Sequence, residues 1–476
     1  MRGFHYVAIS LTLFLAFAVQ TIAQTYKSWQ MDEKGEEKQK DVFALLKDNR
    51  HGNDRQGIDD FFRFYYFARW TDPNIAARVR GYANDLVTQD LKNLDAAPRD
   101  YLLNLSFDTL GKMVADRTIT PTARYNAILT IGLLNQREAA SNNALPVPYA
   151  VALGYLVKEY ENQDNPDYIQ YGALVGIYRH ALLGIADAKM KDETLPQLMR
   201  KIIEDGKPTT RTPDEQELLD CSRLRALDTL GALKSVGSNH EVVDLFLRVM
   251  ADEKETLEMR CYAARKLADL RFKDREAGLP LNSQKIASAL FDLTKAVCDI
   301  ELRNIEDARN KAKAKTGGGA ISVGRGTTLS GLEDEDPDFA LLSAEAKHEV
   351  TVAVRRIKSE LANINWGIRG ASFTGAAAIG ILPELPSDDP LFRKLNDTSR
   401  AIRLLFQDLE QGPPDKPTTT GTSSGSRSPA TSGTTSGPGT ASTAPDPNAL
   451  KVNLSNIRDM LNKFGNTLRT LEESGK

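Results

Sequence analysis

The chain has 476 residues, 41% of them hydrophobic but only 7% aromatic, with 61 basic and 64 acidic side chains and a net charge of -3. A slightly acidic balance argues against a nucleic-acid binder, whose phosphate contacts need a basic surplus. The length allows a long helical core, and the scarcity of alternating β-branched runs sets the expectation at an all-α class.

Met1-Arg2-Gly3 precedes an apolar run from Tyr6 to Val19, and Thr21-Ile22-Ala23 supplies small-residue cleavage chemistry before Gln24. This is the pattern of a secretory signal peptide over residues 1–23, with Ala16-Phe17-Ala18 as a second cleavage position. Retained instead, Phe4 to Ala23 is about long enough to span a bilayer, with Arg2 holding the N-terminus inside. In both cases the body is expected outside the cytoplasm: periplasmic, cell-surface or secreted. Cleavage removes one charge, Arg2, and leaves the mature chain at a net -4.

Residues 24–57 are polar, with the charged stretch Glu33 to Lys40 reading as a solvated helix start or a disordered lead-in. The character then changes. Phe61, Phe62, Phe64, Tyr65, Tyr66, Phe67 and Trp70 place seven aromatics within ten positions. An exposed platform of this kind would suit a glycan or a peptide. On a helix, however, Ile58, Phe61, Phe62 and Tyr65 share one side while Phe64 and Phe67 point elsewhere, which favours a buried wedge closing the end of a helical stack.

Four later segments fit one template: Arg124-x-x-Ala127-x-x-x-Ile131-x-x-Leu134, Gln170-x-x-Ala173-x-x-x-Ile177-x-x-His180, Arg223-x-x-Ala226-x-x-x-Leu230-x-x-Leu233 and Arg260-x-x-Ala263-x-x-x-Leu267-x-x-Leu270. The alanines are 46, 53 and 37 residues apart, close to the period of helix-pair repeats. Offsets 0, 3, 7 and 10 fall on one side of a 3.6-residue helix, and the small Ala lets a neighbouring helix approach. A weaker fifth copy begins at Arg80-x-x-Ala83-x-x-x-Val87, with the polar Asp90 in its last position. Pro98, Pro121, Pro146, Pro148, Pro166, Pro196, Pro208, Pro213 and Pro280 fall between the helical patterns, as turns between antiparallel helices require.

On these residues the stretch from Pro73 to Arg303 resembles the HEAT-repeat (armadillo-like) α-solenoid family, whose second helices often carry an Arg, a small residue and spaced Leu or Ile, and in particular exported bacterial HEAT-repeat proteins. The resemblance implies a helix-pair solenoid over residues 58–411. It is nearly silent on activity, because members of that family mostly bind other macromolecules in diverse ways. Cys221, Cys261 and Cys298 lie 40 and 37 residues apart, match no metal or redox spacing, and cannot all pair within one chain. They are expected as buried small hydrophobes, with a Cys221 to Cys261 bridge left open because both precede equivalent helices.

Residues 311–338 break the pattern, running from lysines through Gly317-Gly318-Gly319 and Gly324-Arg325-Gly326 to Glu333-Asp334-Glu335-Asp336. The phosphate-loop spacing is absent and no apolar strand precedes the glycines, so a surface insertion is expected. Ala340 to Ile364 reads as a long helix with a stripe of Leu341, Leu342, Val350, Val354, Ile357, Leu361 and Ile364. Trp366 to Leu385 is rich in glycine, including Gly367, Gly370, Gly375 and Gly380, and reads as a tight loop with a short helix or as a ligand cradle. A helical pattern resumes from Leu391 to Leu409.

From Gly412 to Pro447, 29 of 36 residues are Pro, Gly, Ser or Thr, the composition of a linker. As a flexible coil it would span about 33 Å root-mean-square. Beyond it, residues 448–474 form an amphipathic heptad helix in which Leu450, Leu454, Ile457, Leu461, Phe464, Leu468 and Leu471 alternate spacings of four and three. This seam is the candidate partner-binding site. Docking on a protein partner, folding back on the body and self-association as a short coiled coil all bury the same stripe, and Gly465 weakens the helix by about 1 kcal/mol relative to Ala.

Catalytic and metal motifs are decoys. His240-Glu241-Val242-Val243-Asp244 and His348-Glu349-Val350-Thr351-Val352 begin like zinc-protease helices, but Asp244 and Val352 stand where the second His is needed. Gly421-Thr422-Ser423-Ser424-Gly425 matches a nucleophile elbow inside the linker, where nothing could strain the serine. Asn104-Leu105-Ser106, Asn396-Asp397-Thr398 and Asn453-Leu454-Ser455 match the N-glycosylation sequon. The reading is therefore an exported, non-enzymatic interaction scaffold with no catalytic residue, cofactor or metal, no nucleic-acid partner, and membrane contact only through an uncleaved N-terminus. Its alternatives are an extracytoplasmic enzyme or enzyme subunit with a site between Trp366 to Gly380 and the repeats, and a cell-surface glycan binder using Phe61 to Trp70.

Overall fold

The computed structural model describes residues 26–139, 144–204, 212–237, 240–272, 282–317, 344–370, 380–411 and 452–473. The signal segment 1–23, the linker 412–447 with its Gly421 to Gly425 motif, Leu450, and most of the Gly-rich insertion lie outside them. The described residues are all-α: fifteen α-helices and one short antiparallel hairpin, β1 (Asn135–Arg137) with β2 (Val147–Pro148). The chain forms two compact units, residues 1–245 with 270–279, and residues 246–269 with 280–476.

The first unit starts with an anchored segment rather than a free lead-in. The Trp29 indole donates to Asp116 (2.8 Å), its backbone N–H donates to the Thr71 hydroxyl (2.8 Å), and the Asp32 N–H donates to the Phe64 carbonyl (2.7 Å). Helix α1 (Gly35–Lys47) follows. Its first turn carries Glu36 and Glu37 and its last carries Lys47, each matched to the helix dipole, and it buries Val42 and Leu46. Helix α2 (Arg55–Phe61) continues as a π-helical turn over Phe62–Tyr66. This wider turn lets Phe61, Phe62, Tyr66, Phe67 and Trp70 all be buried, stitched by edge-to-face contacts such as Phe61 to Phe62 at 5.1 Å. Helix α3 (Val79–Asp85) likewise ends in a π turn, Leu86–Asp90.

Three helix pairs follow: α4 (Ala96–Ala115) with α5 (Pro121–Leu133), α6 (Ala150–Glu161) with α7 (Asp167–Leu183), and α8 (Leu195–Glu204) with α9 (Pro213–Leu233). Partners within each pair pack together, and the second helices also pack on one another, α5 on α7 and α7 on α9. The template stripes drive this. Ala127, Ala173, Ala226, Ile131, Ile177 and Leu230 are all buried. The α5 to α7 crossing is tight enough that a Cβ on Gly132 would lie 2.6 Å from the Gly176 Cα.

Template position 1 has a specific job. Arg124 Nε donates to the Val114 carbonyl in the last turn of α4 (2.9 Å), and Arg223 Nε donates to the Ile203 carbonyl in the last turn of α8 (3.0 Å). Gln170 reaches the Asn162 and Asn165 carbonyls just past α6 (3.3 and 3.1 Å). The two arginines close carbonyls that a helix end leaves without intrahelical partners, whereas Gln170 bonds the C-cap and the turn beyond it. Arg124 and Gln170 sit four residues past their N-caps, Thr120 and Pro166, whereas Arg223 sits eleven past Thr212. The extra seven residues are about two turns, so α9 begins earlier without rotating its stripe. The weak fifth copy lacks this device, since Arg80 is exposed.

The second unit holds the end of α10 (Glu241–Ala251), α11 (Leu257–Leu267), α12 (Ser283–Gly317), α13 (Ala344–Arg369), α14 (Pro390–Gln411) and α15 (Leu454–Glu473). The fourth template copy recurs here: Thr256 caps α11, and four residues on Arg260 Nε donates to the Met250 carbonyl in the last turn of α10 (2.8 Å). Helix α12 runs on to Gly317, into the expected insertion. Helix α13 buries Val350, Val354, Ile357, Leu361 and Ile364 as its stripe requires, and packs on α11 so closely that a Cβ on Gly367 would meet the Ala264 carbonyl at 2.4 Å. Gly367 is thus a packing glycine within a helix. Residues 371–379 of the Gly-rich segment lie outside the described residues.

Candidate interaction surfaces

The heptad seam is occupied by the chain itself. Leu454, Ile457, Leu461, Phe464 and Leu468 are buried, Leu471 is half-buried, and α15 packs on α12 and α14. Of the ways to cover the stripe, this structure displays folding back, so as a free docking surface for another protein the seam is already covered. Cys298 on α12 lies under it. Its thiol donates to the Leu461 carbonyl (3.4 Å), burial pushes its pKa up to about 12, and a Cβ on Gly465 would sit 3.3 Å from its Sγ. Gly465, a weakness in an isolated helix, is what allows α15 to lie this close to α12. Lys295 pairs with Glu472 (2.6 Å) and Lys463 with Asp408 (3.4 Å) at the margins.

None of the three cysteines forms a disulfide; Cys261 and Cys298 are buried and Cys221 is half-buried, so no Cys221 to Cys261 bridge forms. Among the described residues no cluster of His, Cys, Asp and Glu could hold a metal ion. His348 is exposed on α13, and His240 stands before α10 with a left-handed backbone (φ 60°), its carbonyl accepting from the Asp244 N–H. Neither is arranged as a zinc-protease helix. All three sequon asparagines are engaged: Asn104 accepts from the Tyr149 hydroxyl (2.7 Å), Asn396 accepts from Arg369 (2.6 Å), and the Asn453 side chain accepts from the Asn456 N–H (2.8 Å).

The aromatic segment leaves little for a glycan to stack on. Only Phe64, 50% exposed, and the half-buried Tyr65 reach the surface. Near its base lies a cleft of about 680 Å³ between α1 and residues 89–93, lined by Glu36, Lys40, Phe43, Lys47, Gln89 and Asp90 among others. The Tyr66 hydroxyl donates to Asp90, tying together the two π turns, and burial holds the Asp90 carboxyl above the usual carboxylate range. Lysines and acids alternate around this cleft, and its walls carry neither a nucleophile with an adjacent base nor a ligand set for a metal. Sequence reasoning missed it because its walls come from segments about fifty residues apart, neither carrying a motif.

One buried ion pair went unread, while a second buried polar centre, His180, is packed as its place at the end of a template stripe suggests. Glu301 on α12 is fully buried and takes a bidentate grip from Arg356 of α13 (2.8 and 2.7 Å), with Asn304 donating to the same carboxylate (2.8 Å). That hydrogen bonding, more than the opposing cost of burial, raises the Arg356 pKa. His180, last in its template copy, is buried with Nε2 unpartnered, and desolvation pushes its pKa down to about 4. This is a packed neutral histidine. No family model, curated protein or solved structure matches the chain.

Proposed function

We propose that the protein is an exported, non-enzymatic interaction scaffold: a HEAT-like stack of helix pairs whose outer surface engages a protein partner, with the C-terminal helix as a second contact when it leaves the α12–α14 groove that covers its seam. The observation that carries this reading is the recurrence of one structural solution, a template Arg closing the last turn of the helix before it in three of the four copies, with Gln170 bonding the turn after α6 in the other. Repetition of a packing unit builds extended surface rather than a single enclosed site. Export rests on the N-terminal sequence pattern and the partner on this architecture. A tethered second contact raises the effective concentration of the whole chain at its partner.

The test is capture in cells by crosslinking of the full chain and of a chain carrying charge substitutions on the exposed surface of α5, α7 and α9. A discrete protein partner lost on those substitutions supports the scaffold; hydrolytic or transfer activity of the purified chain, abolished by the same substitutions, would replace it with the enzyme reading.

A further inference from the structure

The groove between α12 and α14 is built for one helix. The Cys298 thiol meets the Leu461 carbonyl, Gly465 clears the sulfur, and Phe464 and Ile457 are buried. The Lys295–Glu472 and Lys463–Asp408 pairs fix its direction.

The tether is far longer than this seat requires. Lys463 contacts Asp408, Leu454 lies nine residues back along α15, about 14 Å, and Gln411 lies three residues on from Asp408, about 5 Å. Allowing for the two side chains, the ends to be joined are within about 30 Å, which about ten extended residues can span. The chain places forty-two between them, 412–453, mostly of linker composition.

We propose that α15 is an exchangeable helix: the α12–α14 groove that holds it in cis also takes the α15 of a second copy of this chain. Every contact in the seat is available to an identical helix, so the two arrangements differ mainly in tethering entropy, the condition for domain exchange. A tether of this length gives an effective concentration in the millimolar range, which keeps the chain closed on itself at micromolar concentration. Exchange dominates when the cis seat is disabled on one chain and the helix on another. This inference stands apart from the scaffold reading, since it concerns copies of the chain alone.

The test uses three full-length variants. Ile457→Asp with Leu461→Asp cripples the helix and leaves the groove open; Cys298→Phe blocks the seat and leaves the helix loose. Each alone is expected to elute as a monomer by light scattering. In the Ile457→Asp/Leu461→Asp chain, Cys298 is expected to react with a maleimide at least tenfold faster than in the wild type while Cys261 stays protected, which reports an open groove on a folded body. Mixing this chain with wild type should leave both monomeric. Its equimolar mixture with a third chain, in which Asp408→Lys and Lys295→Glu disfavour the cis seat but the helix is intact, should give a heterodimer, whereas the mixture of two chains that both carry Ile457→Asp should not. Mixtures that remain monomeric although Cys298 is exposed would overturn the proposal, as would a Cys298 that stays protected after the helix is crippled. Partner capture from cells reads the scaffold proposal independently, so either can fail alone.

Discussion

The two units share the template cap, which Arg260 repeats in the second, and differ in what else holds their helices. In the first, helices meet through glycine and alanine and are closed by short polar caps to backbone carbonyls: Gly132 against Gly176, Arg124 onto Val114, Arg223 onto Ile203. In the second, long helices are joined by a buried ion pair, Glu301 with Arg356, and by a helix returned from far along the chain. The caps of the first unit join residues 10 and 20 apart and repeat in sequence, whereas the ion pair joins residues 55 apart on α12 and α13. Local, repeated contacts tolerate loss of one copy better than a unique buried charge pair does.

The largest expected effect follows from that contrast. Glu301→Ala leaves the Arg356 guanidinium without its carboxylate, and breaking a buried pair costs about 3 to 5 kcal/mol; because Arg356 is itself 30% exposed, about 3 is expected. Native-state hydrogen exchange of α12 and α13 amides reads it. Glu301→Leu combined with Arg356→Leu should recover most of the loss, since apolar replacement of both partners removes the desolvation cost along with the attraction. If the double variant is as unstable as the single one, the pair contributes more than mutual neutralisation.

Next is an acid dependence in the first unit. His180 titrates near 6.5 when unfolded and is held at about 4 when folded. Above pH 6.5 both states are neutral and the group contributes nothing. As pH falls from 6.5 to 4 the unfolded chain binds a proton that the folded chain refuses, so stability drops by about 1.4 kcal/mol per pH unit, to a total of about 3 kcal/mol. His180→Leu should lack this component, visible as a gap between the two stability curves that opens only below pH 6.5. Parallel curves would mean the histidine finds a proton-stabilising partner. Gly132→Val comes third: its side chain has no room against Gly176, and forced overpacking costs about 1 to 3 kcal/mol. The same substitution at Gly154, where nothing lies within 4 Å of an added Cβ, should be close to neutral.

How much of this was legible in the sequence depends on whether a contact is local. The stripes of α5, α7, α9 and α11 were readable because residues 3, 4 and 7 apart share a helix face, and Ala127, Ala173, Ala226 and Ala263 are buried as that demands. The stripe of α13 was readable for the same reason. What position 1 does was not: periodicity says that Arg124 lies on the stripe, not that its guanidinium turns back to a carbonyl ten residues earlier. The Glu301 to Arg356 pair escaped notice because Arg356 lay in a helix read for its apolar stripe and Glu301 in a stretch with no template copy. Residues 24–57 were read from their charge, which hid the Trp29 anchor, because one indole bonded 87 residues away leaves no local pattern. In the aromatic run the conflict of faces did point to burial, while the π turn that resolves it has no composition signal.

The smallest expected effect asks whether charge matters to the cap. Arg124→Ala removes a charged donor that holds both the Val114 carbonyl and, at 3.0 Å, the Tyr168 hydroxyl, with a cost of about 2 kcal/mol. Gln170→Ala removes neutral bonds of 3.1 and 3.3 Å from an amide that reaches only to the turn after α6, and about 1 kcal/mol is expected. Chemical denaturation of the two variants against wild type gives the ratio. Equal losses would show that the template position works by filling space over the preceding helix end, in which case Gln, Arg and Met should be interchangeable there. A loss at Arg124 about twice that at Gln170 would show that the repeat draws its stability from a charge set against the negative end of a helix, and that its second copy makes do with a weaker version.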